Sequence, residues 1–244
     1  MMKWRFIYRG LKARYRDQRT ELRSLVESLS PDETVIDVGA NKGSYLWALS
    51  RAVPRGRVVA FEPQPILVKY LLEACSLAGL SNVTIVSGGV SNAAGILKLA
   101  IPGTGESSPG ASFEAAVSSR EDCRFIEVPV VTLDDYFKTE GARIGALKVD
   151  VEGHELAVLK GASNLIKKHR PTIVCECEQR HLTEGRVEDV IHFIESLGYT
   201  GYLVTKGGVI LASEFDPLLH QIQTGDRFWD APDYLNNFIF KPSK

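Results

Sequence analysis

The sequence lacks any run of about 20 apolar residues, and its first residues contain no uninterrupted apolar stretch. It also lacks a C-x-x-C pair. Its four cysteines include Cys175 and Cys177, which alternate within an apolar run as buried strand residues do. We therefore expect neither a signal peptide nor a membrane-spanning helix nor a disulfide scaffold. The prediction is a soluble protein in a reducing, cytoplasmic setting.

The chain also lacks a strong net charge, because 29 basic and 30 acidic residues leave a formal charge of −1. The molecule as a whole is therefore no electrostatic match for nucleic acid. The charge is uneven, however. Residues 1–24 carry eight Lys and Arg against Asp17 and Glu21, which leaves the rest of the chain at −7. We expect this basic head to be a local feature of the surface.

What the chain does have is 44% hydrophobic residues over 244 positions, enough for one sizeable core. Apolar periodicity predicts helix over the first 30 residues, followed by strands that alternate with helices. This alternation is typical of parallel βαβ units with right-handed crossovers. Predicted strands lie at 34–38, 57–62, 83–87, 96–101, 125–133, 146–151, 172–177, 199–205 and 237–240.

Two parts of this pattern stand out from the rest. Residues 102–119 are rich in Gly, Ser and Pro, and we expect them to form a mobile loop on the substrate side. Residues 1–33 form a basic helical extension, and residues 34–244 form the main domain. We expect residues 102–119 and 213–234 to determine acceptor specificity, because loops above a cleft at the strand ends usually carry the binding residues.

The sharpest motif is residues 35–43, VIDVGANKG, a strand followed by a tight glycine turn and a helix. Such a turn lets a ligand lie against bare backbone, and Asp37 could reach a ligand amine. Glu62 ends the second strand, where an acid can bind both ribose hydroxyls. The alternatives are an NAD-binding turn or a plain strand–helix turn. The middle glycine of G-x-G-x-x-G is missing, which disfavours NAD and suits a ligand with a sulfonium and no phosphate.

The second motif is residues 147–155, LKVDVEGHE, in which a strand delivers Asp150 and Glu152 to the carboxyl edge of the sheet. A helix cap followed by a solvated loop is the alternative interpretation. The third is residues 173–178, IVCECE. An acid inside an apolar strand is costly to bury, so we expect Glu176 at the strand end facing the cleft and Glu178 at the surface.

Together these motifs closely resemble the FkbM-type methyltransferase family. The resemblance spans roughly residues 34–241 and also includes FEP at 61–63, GVSN at 89–92 with Gly95, VTLD at 131–134 and NFIF at 237–240. It implies a Rossmann-like class I α/β fold with a seven-stranded, mostly parallel sheet, an antiparallel last strand and helices on both faces. It also implies methyl transfer from S-adenosylmethionine to a hydroxyl of a sugar, a glycan or a polyketide-like product.

The resemblance also implies roles for individual residues. The methionine part of the cofactor is expected at Asp37, Gly39, Asn41 and Gly43, and its ribose at Glu62. The adenine is expected to border Gly89, Val90 and Ser91. The residues expected near the methyl-transfer centre are Asp150 and Glu152.

An alcohol is a poor nucleophile near neutral pH, so a base or a metal ion is expected to assist. The candidate bases are His154 and His181. We include Glu176 among the catalytic residues because it should face the cleft. Asp150, Glu152 and Glu176 could instead hold a divalent ion, but no spacing is diagnostic and no metal is assigned.

Three alternatives remain open at this point. The chain could methylate nucleic acid, although it lacks an Asn-Pro-Pro-Tyr motif, or it could be a non-catalytic scaffold with a filled cofactor pocket. The basic head, with Trp4, Phe6, Ile7 and Tyr8, could lie on an anionic membrane. It could instead pack on the domain or mediate a dimer.

Overall fold

The computed structural model describes residues 1–119, 122–225, 227–231 and 233–243. Within these residues, no helix is both long enough and apolar enough to span a bilayer. Residues 226 and 232, in the segment where we expect acceptor choice to be written, lie outside the described part. So does residue 244, the last of the predicted main domain.

Within the described residues, the regular elements include eleven strands and ten α-helices. The strands are β1 (Thr34–Val38), β2 (Arg57–Glu62), β3 (Val83–Ser87), β4 (Gly89–Val90), β5 (Gly95–Pro102), β6 (Cys123–Val131), β7 (Ile144–Val149), β8 (Thr172–Glu176), β9 (Tyr199–Thr205), β10 (Gly208–Leu211) and β11 (Asn237–Pro242). The helices are α1 (Met2–Lys12), α2 (Arg19–Glu27), α3 (Leu46–Ala52), α4 (Pro65–Ala78), α5 (Ala115–Ser118), α6 (Leu133–Tyr136), α7 (Glu155–Lys160), α8 (Ser163–His169), α9 (Val187–Ser196) and α10 (Pro217–His220). A π-helical turn, Ala13–Asp17, joins α1 to α2.

The main sheet has eight strands in the order β3-β2-β1-β7-β8-β11-β9-β10. The pairs formed by β1, β2, β3, β7 and β8 are parallel, and β11 runs antiparallel to both β8 and β9. The predicted mostly parallel sheet with an antiparallel last strand is therefore confirmed. The order reverses between β1 and β7, where open α/β sheets bind ligands.

The predicted strand number of seven is one too low. The additional strand, β10, pairs with β9 in an antiparallel hairpin after the turn at Lys206 and Gly207. Its four residues alternate between half-buried and exposed at the edge of the sheet. So short a run carries little periodic signal, which is why the sequence pattern did not reveal it.

A second difference concerns the helix predicted to follow Glu155. It divides into α7 and α8, which are separated at Gly161 and Ala162. A Cβ on Gly161 would lie 2.1 Å from the carbonyl oxygen of Ser91, and the Gly161 carbonyl accepts a hydrogen bond from Asp134 N. The chain at Gly161 therefore packs closely against the segment after β4, and the helix is interrupted there.

The basic head packs against one face of the main sheet. Phe6, Leu22 and Leu25 are fully buried in the same apolar cluster as Val35 of β1. The helix predicted for this region is present, interrupted by the π-helical turn. A domain boundary at residue 33 stays a prediction, since the two sides of it share one core.

A small three-stranded sheet, β4-β6-β5, lies at the carboxyl edge of the main sheet. The segment 102–119 follows β5 and returns to it, because Ala100 and Ser112 form an isolated bridge. The Gln64 side chain also exchanges two hydrogen bonds with the Ser108 backbone, each 2.9 Å long. The segment thus covers part of this edge, whereas its expected mobility stays a prediction.

Candidate active site at the carboxyl edge

The glycine turn after β1 packs directly on the motif after β7. Gly39 has φ +77°, and a Cβ at this position would lie 1.8 Å from the carbonyl oxygen of Asp150. Only glycine tolerates both this conformation and this approach. Asn41 and Gly43 also have positive φ, of 49° and 74°. The turn therefore presents backbone, not side chains, to the space in front of the sheet.

Glu62 closes that space from the end of β2. One of its carboxylate oxygens accepts a hydrogen bond from Asn41 N at 2.7 Å, and the other accepts one from Gln64 N at 2.9 Å. Burial raises the pKa of Glu62 to about 7, although these two N–H groups oppose the shift. The carboxylate is thus fixed in position, and Glu62 lines the cleft described next.

We call this space the turn cleft, and its volume, open mouth included, is about 560 Å³. The predicted residues that line it are Gly39, Asn41, Glu62, Gly89, Val90, Asp150 and Glu152. Six predicted residues do not line it: Asp37, Gly43, Ser91, His154, Glu176 and His181. Of these, Gly43 instead packs inward, because a Cβ there would lie 2.8 Å from the ring of Phe6.

Asp37 lies behind the turn, fully buried, and is held by a lysine that the sequence analysis did not single out. Nζ of Lys148 lies 3.2 Å from Asp37 and 3.3 Å from Asp150, and donates a hydrogen bond to Gly39 O at 2.7 Å. Neither oxygen of Asp37 accepts a well-aligned hydrogen bond within the described part of the chain, so the ammonium alone compensates its charge. Contact between Asp37 and a ligand therefore stays a prediction.

Burial and charge oppose each other at this ion pair. Burial alone would lower the pKa of Lys148, but Asp37 and Asp150 outweigh it and hold that pKa above its usual value. Burial raises the pKa of Asp37, and Lys148 opposes that shift. A lysine inside the apolar run of β7 was the available signal, since lysine is almost never fully buried unless it is paired.

A second space, which we call the carboxylate cleft, adjoins the turn cleft and shares Pro109 and Glu152 with it. Its volume, open mouth included, is about 1150 Å³. Polar and aromatic side chains from distant parts of the chain line it: Glu152, Glu176, Glu178, Arg180, His181, Trp229 and Asn236. The expected position of Glu176 at the strand end, facing a cleft, agrees with this placement.

The predicted surface position of Glu178 is wrong, because this side chain is only 5% exposed. Its carboxylate accepts hydrogen bonds from Arg180, from Asn236 and, at 2.6 Å, from the hydroxyl of Tyr234. The segment before β11 brings Tyr234 and Asn236 across the end of β8. Nothing in the sequence near Glu178 predicts that this segment covers it.

Glu176 is half-buried and accepts a hydrogen bond from Nδ2 of Asn236 at 2.8 Å. Burial, followed by the charges of Asp150 and Glu152, raises the pKa of Glu176 well above its usual value. Burial also raises the pKa of Glu152, against the opposing effect of His181. Glu152 and Glu176 therefore take up protons more readily than free carboxyl groups do.

The two candidate bases differ sharply in their surroundings. Nδ1 of His154 donates to Glu114 at 2.8 Å, and its Nε2 pairs with the hydroxyl of Ser91 at 2.9 Å. Both nitrogens are thus engaged in holding the 102–119 segment and the end of β4. The assignment of His154 as a base stays a prediction.

His181 is 4% exposed and lines the carboxylate cleft, with Nδ1 2.8 Å from Oε2 of Glu152. Its Nε2 has no hydrogen-bond partner among the described residues. Glu152 itself has φ +56°, and Gly153 has φ +105°. A Cβ on Gly153 would lie 2.5 Å from the His181 carbonyl oxygen, so the glycine permits this close approach. Non-glycine residues with positive φ are rare, and strained backbone of this kind gathers at functional sites.

Among the described residues, no three His, Cys, Asp or Glu side chains come together as a group that could hold a metal ion. The set of Asp150, Glu152 and Glu176 considered from the sequence is therefore not arranged as a ligand set.

Comparison with known proteins agrees with this geometry. The Methyltransferase FkbM domain family matches residues 37–200. The methyltransferase SdnD of Sordaria araneosa is 33% identical over 56% of this chain and 62% of its own length. The hexuronic acid methyltransferase AglP of Haloferax volcanii is 32% identical over 66% of this chain and 64% of its own. The chain thus spans a little under two thirds of either relative.

The 31-O-demethyl-FK506 methyltransferase FkbM of Streptomyces tacrolimicus is 28% identical over 89% of this chain and 88% of its own. Among solved structures, methyltransferase FkbM from Methylobacillus flagellatus KT gives a TM-score of 0.55 at 19% identity, over 87% of this chain and 44% of that one. This likeness shows a shared fold. The Rossmann-like α/β fold and the family resemblance predicted from the motifs are both confirmed, and the chain belongs to the FkbM methyltransferase family.

Proposed function

We propose that this protein transfers a methyl group from S-adenosylmethionine to a hydroxyl oxygen of a sugar or polyketide-like acceptor. The family membership supports methyl transfer. The names of two relatives, which act on a hexuronic acid and on 31-O-demethyl-FK506, support acceptors of these classes. The observation that carries the proposal is the junction of two clefts at Glu152, one suited to a nucleoside and the other lined by proton-accepting side chains.

The turn cleft fits the nucleoside part of S-adenosylmethionine. The fixed carboxylate of Glu62 has lone pairs left for the two ribose hydroxyls. The backbone of Gly39 and Asn41 would lie against the methionine part, and Gly89 and Val90 would border the adenine. When bound, the cofactor supplies a methyl group on a sulfonium. The non-catalytic scaffold interpretation expected a filled or missing pocket, whereas Gly39, Asn41 and Glu62 line a cleft.

The carboxylate cleft would receive the acceptor and its proton. Oε2 of Glu152 lies 2.8 Å from Nδ1 of His181, which favours a proton on Nδ1 and leaves Nε2 to accept one. Nε2 would take the proton of the acceptor hydroxyl as that oxygen takes up the methyl group, and the methyl–sulfur bond would break to leave S-adenosylhomocysteine. Glu152 then stabilises the imidazolium. Much of the rate should come from holding oxygen, methyl group and sulfur in line.

Calorimetry with S-adenosylmethionine tests the proposal on the cofactor side. We expect the wild-type chain to bind, and Glu62→Ala to bind about 100-fold more weakly, because two hydrogen bonds to a charged group are lost. Glu73→Gln is the matched control, since Glu73 is an exposed acid on α4. Absence of binding to the wild-type chain at millimolar ligand would instead support a scaffold.

Methyl transfer itself is tested with labelled S-adenosylmethionine and a set of methyl glycosides and macrolide alcohols. Label should appear in an ether, which resists mild base. Label released by mild base would place the methyl group on a carboxylate and contradict transfer to a hydroxyl.

A further inference from the structure

A row of exposed aromatic side chains runs along the outer face of α1 and the π-helical turn. Trp4, Tyr8 and Tyr15 are 70%, 65% and 67% exposed. Their spacings of four and seven residues place them on one side of the helix. A single exposed aromatic needs no explanation, but three in a row form a surface. We call this surface the aromatic–basic face and include the cations Lys3, Arg5, Arg14 and Arg19, which are close to these aromatics in the sequence.

The opposite side of the same helix is fully occupied by the domain. Phe6, Gly10 and Ala13 are buried, and a Cβ on Gly10 would lie 2.7 Å from Cβ of Trp47. Arg9 also donates a hydrogen bond to the carbonyl of Lys42 at 3.2 Å. The helix is therefore anchored on the domain, and its aromatic row is not required for packing there.

Cations flank the row on both sides. Within the part of the chain that the structure describes, none of the four cations of the aromatic–basic face has an acidic partner, whereas Asp17 pairs with Lys12 and Arg16. Lys3 lies 5.9 Å from the ring centre of Trp4, and Arg14 lies at the same distance from Tyr15. The chain beyond residue 24 carries −7, so an anionic surface would attract this face and repel the rest.

We propose that the aromatic–basic face binds the surface of an anionic lipid bilayer. Tyr and Trp rings favour the headgroup level of a bilayer, and basic residues beside them add attraction to anionic lipids. A nucleic acid is the less suitable partner. A phosphate backbone is usually followed by a positive groove, and the large cleft of this molecule is lined by Glu152, Glu176 and Glu178.

The position of the face gives this binding a consequence. The helix contacts Lys42 and Gly43 of the glycine turn, at the carboxyl edge of the main sheet. A protein docked through this face would hold that edge close to the bilayer. The inference stands apart from the proposed chemistry, because binding to lipid requires neither cofactor nor acceptor.

The test is sedimentation of the full chain with vesicles of phosphatidylcholine, with and without about one quarter phosphatidylglycerol. We expect binding only to the anionic vesicles, weakening as salt rises. Lys3→Gln/Arg5→Gln/Arg19→Gln should lower the partition coefficient about 100-fold, since each cation contributes about fivefold. Trp4→Ser/Tyr8→Ser/Tyr15→Ser should lower it about tenfold or more.

A matched control is Ile96→Ser/Phe125→Ser, which removes two exposed apolar side chains from the three-stranded sheet. It should bind like wild type, and unchanged thermal unfolding should show that all three variants are folded. Equal binding to both vesicle types, or to neither, would overturn the proposal. So would salt-sensitive binding to an RNA homopolymer without vesicle binding, or a dimer that the aromatic replacements dissociate.

Discussion

The two clefts at the carboxyl edge are built in different ways. In the turn cleft, the glycine-containing turn after β1 and residues 88–90 bring backbone close, and the end of β2, the 102–119 segment and the residues after β7 complete the lining. The carboxylate cleft is formed by side chains from β8, from the 102–119 segment and from the residues before β11. Three acids line each cleft, and Glu152 is common to both. Glu62 in the turn cleft is held by backbone N–H groups, whereas Glu176 and Glu178 in the carboxylate cleft are held by side chains.

This difference explains what each cleft requires of the sequence. Where backbone approaches other backbone closely, only glycine fits, as at Gly39. A required glycine can be recognised in the sequence as part of a motif. Side chains that line an open cleft can come from any segment that the fold brings there. The comparison therefore predicts that substitutions in the turn after β1 mainly destabilise the fold, whereas substitutions in the carboxylate cleft mainly lower the rate of methyl transfer.

The largest expected effect is at the turn. Gly39→Ala should lower the free energy of unfolding by about 4 kcal/mol or more, because the new methyl group meets the Asp150 carbonyl. Gly79→Ala is the matched control, since Gly79 has φ +71° but no atom within 4 Å of a Cβ. It should cost about 1 kcal/mol. Urea unfolding measures both, and equal losses would show that the close approach is unimportant.

The next effect is at the buried ion pair behind the turn. Lys148→Met should destabilise the chain by about 3–5 kcal/mol, because Asp37 is then buried without a compensating charge. Asp37→Asn added to it should recover a large part of that loss. Lys160→Met replaces an exposed lysine and should change little. If the double variant is no more stable than Lys148→Met, Asp37 is not the residue that Lys148 compensates.

The fold and the turn cleft could be predicted from the sequence because local rules fix both. Apolar alternation gave the βα order, and Gly39 and Glu62 stand at motif positions. The cover over Glu178 could not be predicted, since Tyr234 lies 56 residues away in sequence. Only the tertiary fold distinguishes His154, with both nitrogens engaged, from His181, with one free. Lys148 could be predicted only in part. The sequence showed a lysine among apolar neighbours, but it did not show which acids pair with it.

The smaller effects concern rate and binding. His181→Gln should lower kcat about 100-fold or more if Nε2 accepts the acceptor proton, with affinity for S-adenosylmethionine unchanged. His154→Gln is the comparison, because both its ring nitrogens already hold structure. It should lower thermal stability more than rate. The reverse pattern, with kcat lost only in His154→Gln, would assign the base to the other histidine.

The smallest effect is the pH dependence of nucleoside binding at Glu62. The pKa of this carboxyl lies at about 7 in the folded protein, against 4.5 ordinarily. Ribose hydroxyls donate to the ionised form, so affinity should rise with pH and level off above 7. The suitable ligand is 5′-methylthioadenosine, because it lacks the titratable α-amino group of the cofactor. Its affinity should rise about tenfold between pH 6 and pH 8.

Glu62→Gln keeps the shape of the side chain but cannot ionise, so its weaker binding should not vary with pH.

The same shift also affects folding. The folded chain holds the Glu62 proton more tightly than the unfolded chain does, so stability from this group is present below pH 4.5 and is lost as pH rises through 7. A wild-type affinity independent of pH would mean that a different group holds the ribose. The contrast between an acid held by backbone in one cleft and acids held by side chains in the other would then lose its functional meaning.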